Sequence, residues 1–254
     1  MGDGMERYAG QILFAPLGRE GQKKLLAAHV AVVGCGGLGT NIINLLVRGG
    51  VGNLRVIDGD AVEETNLHRQ VLYYESDAKD RVPKVEAVLR RAAKINSSVR
   101  IDARAARLAP ENAAELLSGV DLILDGTDNF ETRYLINDFA VKNRVPWIYG
   151  GALGSQAACM TFVPGGPCLR CLWPDCPPTG TQPTSRDVGV LPQAPAVAGA
   201  FQAASAMRLL AGHAPSERLI QVDVWDQAVA RLHVKKNARC PCCAEGVFDF
   251  LEKK

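Results

Sequence analysis

The chain has 254 residues, with 29 Lys and Arg against 27 Asp and Glu, a formal charge of +2. Hydrophobic residues at 47% and charged residues at 22% exclude a disordered chain and fit one large α/β domain or two small ones. A charge this close to zero gives no general reason to expect nucleic acid as a partner.

The predicted elements follow in chain order. Residues 5–28 read as short N-terminal helices with Ile12, Leu13, Phe14, Leu25 and Leu26 as apolar contacts. Residues 29–33 are a β-branched run, hence a buried strand. A glycine-rich turn follows, then a helix through Ile42, Ile43, Leu45, Leu46 and Val47. Residues 53–58 form the next strand. Residues 84–96 have helical spacing, with Val85, Val88, Leu89 and Ala92 on one face. A strand at 99–103 precedes a helix at 110–117, with Pro110 suited to its first turn. A strand at 120–124, a helix at 129–143 and a strand at 146–149 complete the alternation.

Strands alternating with helices over short connections predict an α/β fold: a Rossmann-like, doubly wound, mostly parallel sheet. After Gly151 the rhythm changes. Residues 159–163, 219–224 and 229–234 read as strands that extend the same sheet in antiparallel fashion. The chain thus divides into N-terminal helices (1–28), a nucleotide-binding part (29–150) and an antiparallel extension with a mobile loop (151–254). That loop, 164–195, holds eight prolines, and a loop so long is usually functional or mobile. The most apolar segment, 194–212, is interrupted by Gln202, Ser205 and Arg208, so no membrane span is expected. The first residues lack the apolar region of a signal peptide, and the expected location is the cytoplasm.

Gly34-Cys35-Gly36-Gly37-Leu38-Gly39 follows a strand and opens a helix. Glycines let the backbone approach phosphate, and a helix N-terminus offers unpaired N–H groups to an anion. Asp58, at the end of the second strand, is placed to accept hydrogen bonds from ribose hydroxyls. The fingerprint alone does not separate NAD from ATP. ATP carries a more negative tail and needs cations. Arg69 and Lys84 are candidate phosphate clamps, and Asp128 a candidate Mg²⁺ ligand. Against this stands the plainer reading, in which Arg69 and Lys84 are surface charges and Asp128 caps a helix.

The eight cysteines are unevenly placed. Cys168 with Cys171, and Cys240 with Cys243, give two CxxC pairs, a strong signal for structural zinc. Cys242 is an alternative to Cys243. Four thiolates leave no open coordination position, so the expected role is to tie the long loop to the C-terminal segment. Cys159 and Cys176 are read as bystanders.

With these motifs the chain resembles the MoeB/ThiF/HesA group of ubiquitin-activating-type enzymes. The resemblance spans nearly all of 1–254 as a single adenylation domain. It rests on the glycine turn, Gly49-Gly50-Val51-Gly52, Asp58-Gly59-Asp60, Asn66-Leu67-His68-Arg69-Gln70, Pro83-Lys84-Val85, Asp125-Gly126-Thr127-Asp128-Asn129 and the two cysteine pairs. It implies ATP-dependent adenylation of the C-terminal Gly-Gly carboxylate of a ubiquitin-like sulfur-carrier protein. It further implies ATP, Mg²⁺ and Zn²⁺, a homodimer, and a sulfurtransferase as a further partner. By resemblance, Asp58 holds the ribose, Asp60 belongs to the nucleotide site, and Gly37, Asn66, Arg69, Gln70 and Lys84 hold phosphates. Asp128 holds Mg²⁺, and Asn129 belongs to the same nucleotide site.

The sequence departs from the family at two places. An N-terminal Arg-Tyr-x-Arg-Gln segment reads here Arg7-Tyr8-Ala9-Gly10-Gln11, so Gly10 replaces an arginine and Arg7 is its candidate substitute. A cysteine common in the mobile loop is Ser185 here, which leaves Cys176 as the other thiol in that loop. Three alternatives stay open: an NAD-dependent oxidoreductase, a non-catalytic carrier-binding protein, and an activator of a different carboxylate. Arg69, Lys84 and Asp128 argue against the first.

Overall fold

The β-branched run after the N-terminal helices forms β1 (His29–Val33), whose side chains alternate between two buried layers. The computed structural model of the protein describes residues 4–178, 180–216 and 218–252. Before β1 lie α1 (Ala9–Ile12) and α2 (Gly18–Ala27). Then come α3 (Gly37–Gly49), β2 (Asn53–Ile57), α4 (Glu75–Lys79), α5 (Lys84–Ile95), β3 (Arg100–Arg104) and α6 (Ala113–Leu117). β4 (Leu122–Asp125), α7 (Phe130–Asn143), β5 (Trp147–Leu153) and β6 (Gln156–Phe162) follow. The chain closes with α8 (Leu169–Leu172), α9 (Ser185–Val188), α10 (Gln193–Leu210), β7 (Arg218–Asp223) and β8 (Ala228–His233).

Among the described residues the strands make one eight-stranded sheet in the order β3-β2-β1-β4-β5-β6-β7-β8. β1 to β5 pair in parallel, and β5 to β8 pair antiparallel. This is the expected doubly wound sheet with its antiparallel extension. Val30 and Val32 face one core with Leu54, Ile42 and Leu46, while Ala31 and Val33 face the other with Ile123 and Phe139. Each face buries apolar area against helices, the dominant favourable term in folding.

The order reverses between β1 and β4, where Val33 pairs with Asp125. A crevice opens at such a switch point, beyond the carboxyl ends of the strands. Two close approaches shape it. Gly34 adopts a φ of +89°, and a side chain on Gly39 would stand 1.9 Å from the Gly34 carbonyl oxygen. Glycine at both positions lets α3 start directly over the end of β1.

Two expectations are corrected. The predicted helix at 110–117 begins only at Ala113, so Pro110 lies outside it. The Asn112 side chain accepts from the Ala109 N–H at 2.8 Å and donates to the Arg107 carbonyl at 2.9 Å. That local turn outcompetes the first helical turn. Asp128 does not cap the helix after β4; Asn129 does, its side chain accepting from the Thr132 N–H at 2.9 Å. The small-residue segment forms α10, which packs on the sheet and on α3. Gly199 lies so close that a side chain there would meet Asn41 Cβ at 2.8 Å. No helix among the described residues is long and apolar enough to cross a membrane.

Candidate functional site

The first turn of α3 has Gly36 at its N-cap with no side-chain cap, so its leading N–H groups point into the crevice unshielded. That arrangement binds anions. The stem of Arg69 lies against this turn, 3.4 Å from where a Gly37 side chain would begin. Pro195 of α10 closes the other side at 3.3 Å. The Arg69 guanidinium is held by Asn66 Oδ1 at 2.8 Å and by the Thr65 carbonyl. Gln70 is buried beside Gly36, and among the described residues its Oε1 has no hydrogen-bond partner. An orphaned buried acceptor next to an open anion cradle fits a ligand-binding crevice.

Lys84 opens α5, and its side chain is only 8% exposed. Its ammonium stands 3.2 Å from Asp60 Oδ2 and 4.0 Å from Asp58 Oδ1. Asp58 already accepts the Cys35 N–H at 2.7 Å and the Asp60 N–H at 2.8 Å, which pins the glycine turn to the end of β2. Burial raises the Asp58 carboxyl above its ordinary range, against the opposing pull of Lys84. Burial pushes Asp60 the same way, but Lys84 and Arg107 outweigh it and hold Asp60 below its ordinary range. Asp58, Asp60, Asn66, Arg69, Gln70 and Lys84 thus gather on the β2 side of the Gly37 turn.

Asp128 stands across the crevice on the loop after β4. It is exposed, and among the described residues its carboxylate accepts no hydrogen bond. An open carboxylate at this place fits a hard divalent cation. Beneath it lies a pair joining Asp125 of the motif to Arg133, which the sequence reading missed. Arg133 and Asp125 are buried, with Nε to Oδ2 at 3.1 Å. Arg133 also donates to the carbonyls of Thr127 at 2.8 Å and Gly150 at 3.2 Å. Asp125 Oδ1 accepts from the Thr127 N–H and hydroxyl. The clamp fixes the backbone directly before Asp128. Only the arginine's place in the first turn of α7 hints at it in the sequence.

Arg7 donates to the Ile95 carbonyl at 2.8 Å, at the end of α5 remote from Lys84. Within its own chain it therefore lies away from this crevice. Ser185 starts α9, where Asp187 accepts from the Thr184 N–H and hydroxyl.

Cys168, Cys171, Cys240 and Cys243 converge, with their sulfurs all within 4.8 Å of one another. Two of the separations are 3.5 Å. A tetrahedral zinc with Zn–S bonds of about 2.3 Å holds its sulfurs about 3.8 Å apart, so these residues fit the metal. Cys243, not Cys242, completes the set. Cys242 instead accepts from Asn137 Nδ2 at 3.3 Å. The neighbouring thiols, Cys242 foremost, hold the Cys168 thiol below its ordinary range, against burial.

The ThiF family pattern matches residues 8–242. The SAMP-activating enzyme E1 of Haloferax volcanii is 38% identical over 250 residues, 98% of this chain and 92% of that protein. The sulfur carrier protein ThiS adenylyltransferase of Bacillus subtilis is 40% identical over 248 residues, 96% of this chain and 73% of that protein. Among solved structures, Escherichia coli MccB with ATP aligns at a TM-score of 0.82 and 23% identity, over 94% of this chain and 74% of that one. At that identity the likeness concerns the fold.

Proposed function

This chain belongs to the ThiF family, and from that premise we propose the reaction for which its crevice is built. The protein is an adenylyltransferase that activates a ubiquitin-like sulfur carrier with ATP. The carboxylate is the carrier's C-terminal Gly-Gly. One of its oxygens attacks the α-phosphorus, the bond to the β-phosphate oxygen breaks, and pyrophosphate leaves with the electron pair. The observation that carries this reading is the uncapped first turn of α3 flanked by Arg69 and buried Lys84, with open Asp128 opposite.

A carboxylate is a poor electrophile, and attachment of AMP gives it a good leaving group. Negative charge gathers at phosphorus during attack, so catalysis is mainly positioning and electrostatics. The α3 N–H groups at Gly37 hold phosphate oxygens. Arg69, fixed by Asn66, and Gln70 bind from one side, and Lys84 turns its ammonium from the aspartates toward the phosphates. Asp58 and Asp60 lie at the ribose, with Asn129 beside them at the crevice edge. Asp128 would hold Mg²⁺, which neutralises phosphate charge when bound. Ser185 offers no thiol, so the reaction stops at the acyl-adenylate, and a sulfurtransferase or another donor supplies sulfur afterwards. Zinc bound by the four cysteines would tie the 164–195 loop to the C-terminal segment. The protein works as a homodimer in the cytoplasm. Exposed Leu13 and Phe14 support a covered N-terminal face.

Incubation with ATP, Mg²⁺ and a Gly-Gly carrier should add one adenylyl group to the carrier, visible by intact-mass spectrometry. A carrier lacking its last glycine should remain unmodified. Equal modification of both would overturn the assigned carboxylate.

A further inference from the structure

Arg107 lies on the loop after β3 and plays no part in the reaction described above. Its Nη2 donates to Asp60 Oδ1 at 2.8 Å, while Asp60 Oδ2 takes Lys84 Nζ at 3.2 Å. One carboxylate therefore bridges two cations. The Lys84 side chain is 8% exposed and that of Arg107 83% exposed. The exposed arginine reaches the same acid as the buried lysine.

An exposed ion pair is ordinarily worth little, because two long side chains must be ordered in solvent. Here the arginine's root is already fixed. Its carbonyl accepts from Asn112 Nδ2 at 2.9 Å, within the turn that shortens α6. Its stem rests on the Asp58-Gly59-Asp60 turn, where a side chain on Gly59 would stand 2.8 Å from Arg107 Cγ. Glycine at 59 admits this contact, and less entropy is lost when the pair forms.

We propose that Arg107 is a positioning residue for Lys84: by occupying one oxygen of Asp60, it weakens that acid's hold on the ammonium and leaves Lys84 available to the nucleotide's phosphates. Without Arg107, Asp60 presents its full charge to Lys84 alone, and phosphate must compete with it. The inference rests on the nucleotide reading of the crevice and adds to it a residue outside the phosphate contacts.

Calorimetric titration with ATP and Mg²⁺ tests this with no carrier present. Arg107→Ala should weaken ATP binding about threefold to fivefold, the scale of a partly exposed charge pair. Arg107→Lys should recover most of the loss. The decisive arm is Asp60→Asn, which removes the competing charge; in that background Arg107→Ala should change ATP affinity less than 1.5-fold, a bound on the order of experimental error against the same pair energy. An equal loss in both backgrounds would mean that Arg107 acts on the nucleotide directly and would overturn the positioning role. No loss from Arg107→Ala, with the parent protein binding ATP, would also overturn it. Failure of the parent protein to bind ATP would overturn the nucleotide reading itself, and the proposal with it.

Discussion

In the proposed reaction Lys84 serves both fold and chemistry. It is buried between Asp58 and Asp60, so it has shed water before any nucleotide arrives. Arg69 is likewise held in place by Asn66. Preorganised cations of this kind contribute most where charge develops in a water-poor site. Lys84→Ala and Arg69→Ala should each cost roughly 2–4 kcal/mol of transition-state stabilisation, measured as a fall in kcat/KM for ATP. Asp58 gives a test by pH. Burial raises its folded pKa above that of the unfolded chain, so the folded state binds the proton more tightly. Asp58 therefore makes stability fall as pH rises from the ordinary carboxylate value through the raised one. Denaturant melts over that interval should show a shallower fall for Asp58→Asn than for the parent protein.

At the scale of elements, α3 and the cysteine cluster carry distinct burdens. A methyl group at position 39 would stand 1.9 Å from the Gly34 carbonyl oxygen and must push α3 from β1. Gly39→Ala should destabilise by about 1–3 kcal/mol or more and weaken ATP binding through the same displacement. Thermal melts and ATP titration would read the two effects together. Cys168→Ser should lose the metal and lower the melting temperature while ATP still binds, because the cluster lies beside α7 and away from the Gly37 turn. Retention of about one zinc per chain in that variant would contradict the ligand set. Both features were legible in the sequence because they are local: a glycine pattern after an apolar run, and paired cysteines. The start of α6 was not, because Asn112 bonds backbone groups several residues upstream. Arg133 was missed for a related reason. Its partners Asp125 and Gly150 come from two different strands and meet it only after the sheet forms.

At the scale of the whole molecule, a parallel sheet with an antiparallel extension could be anticipated from alternation, yet what faces the crevice depends on which strands become neighbours. β1 meets β4 rather than β3, and this brings the Asp128 loop beside the glycine turn. Arg7 illustrates the opposite case. The family resemblance made it the candidate for the missing arginine, but within one chain it lies at the far end of α5. A homodimer would place a second copy against this chain, and light scattering at micromolar concentration should report twice the chain mass. Adenylation in the crevice between β1 and β4 is tested most directly by carrier-dependent exchange of labelled pyrophosphate into ATP. The parent protein with a Gly-Gly carrier should exchange label, and Asp128→Ala should lose exchange while remaining folded. Exchange by Asp128→Ala at the parent rate would contradict the assigned site.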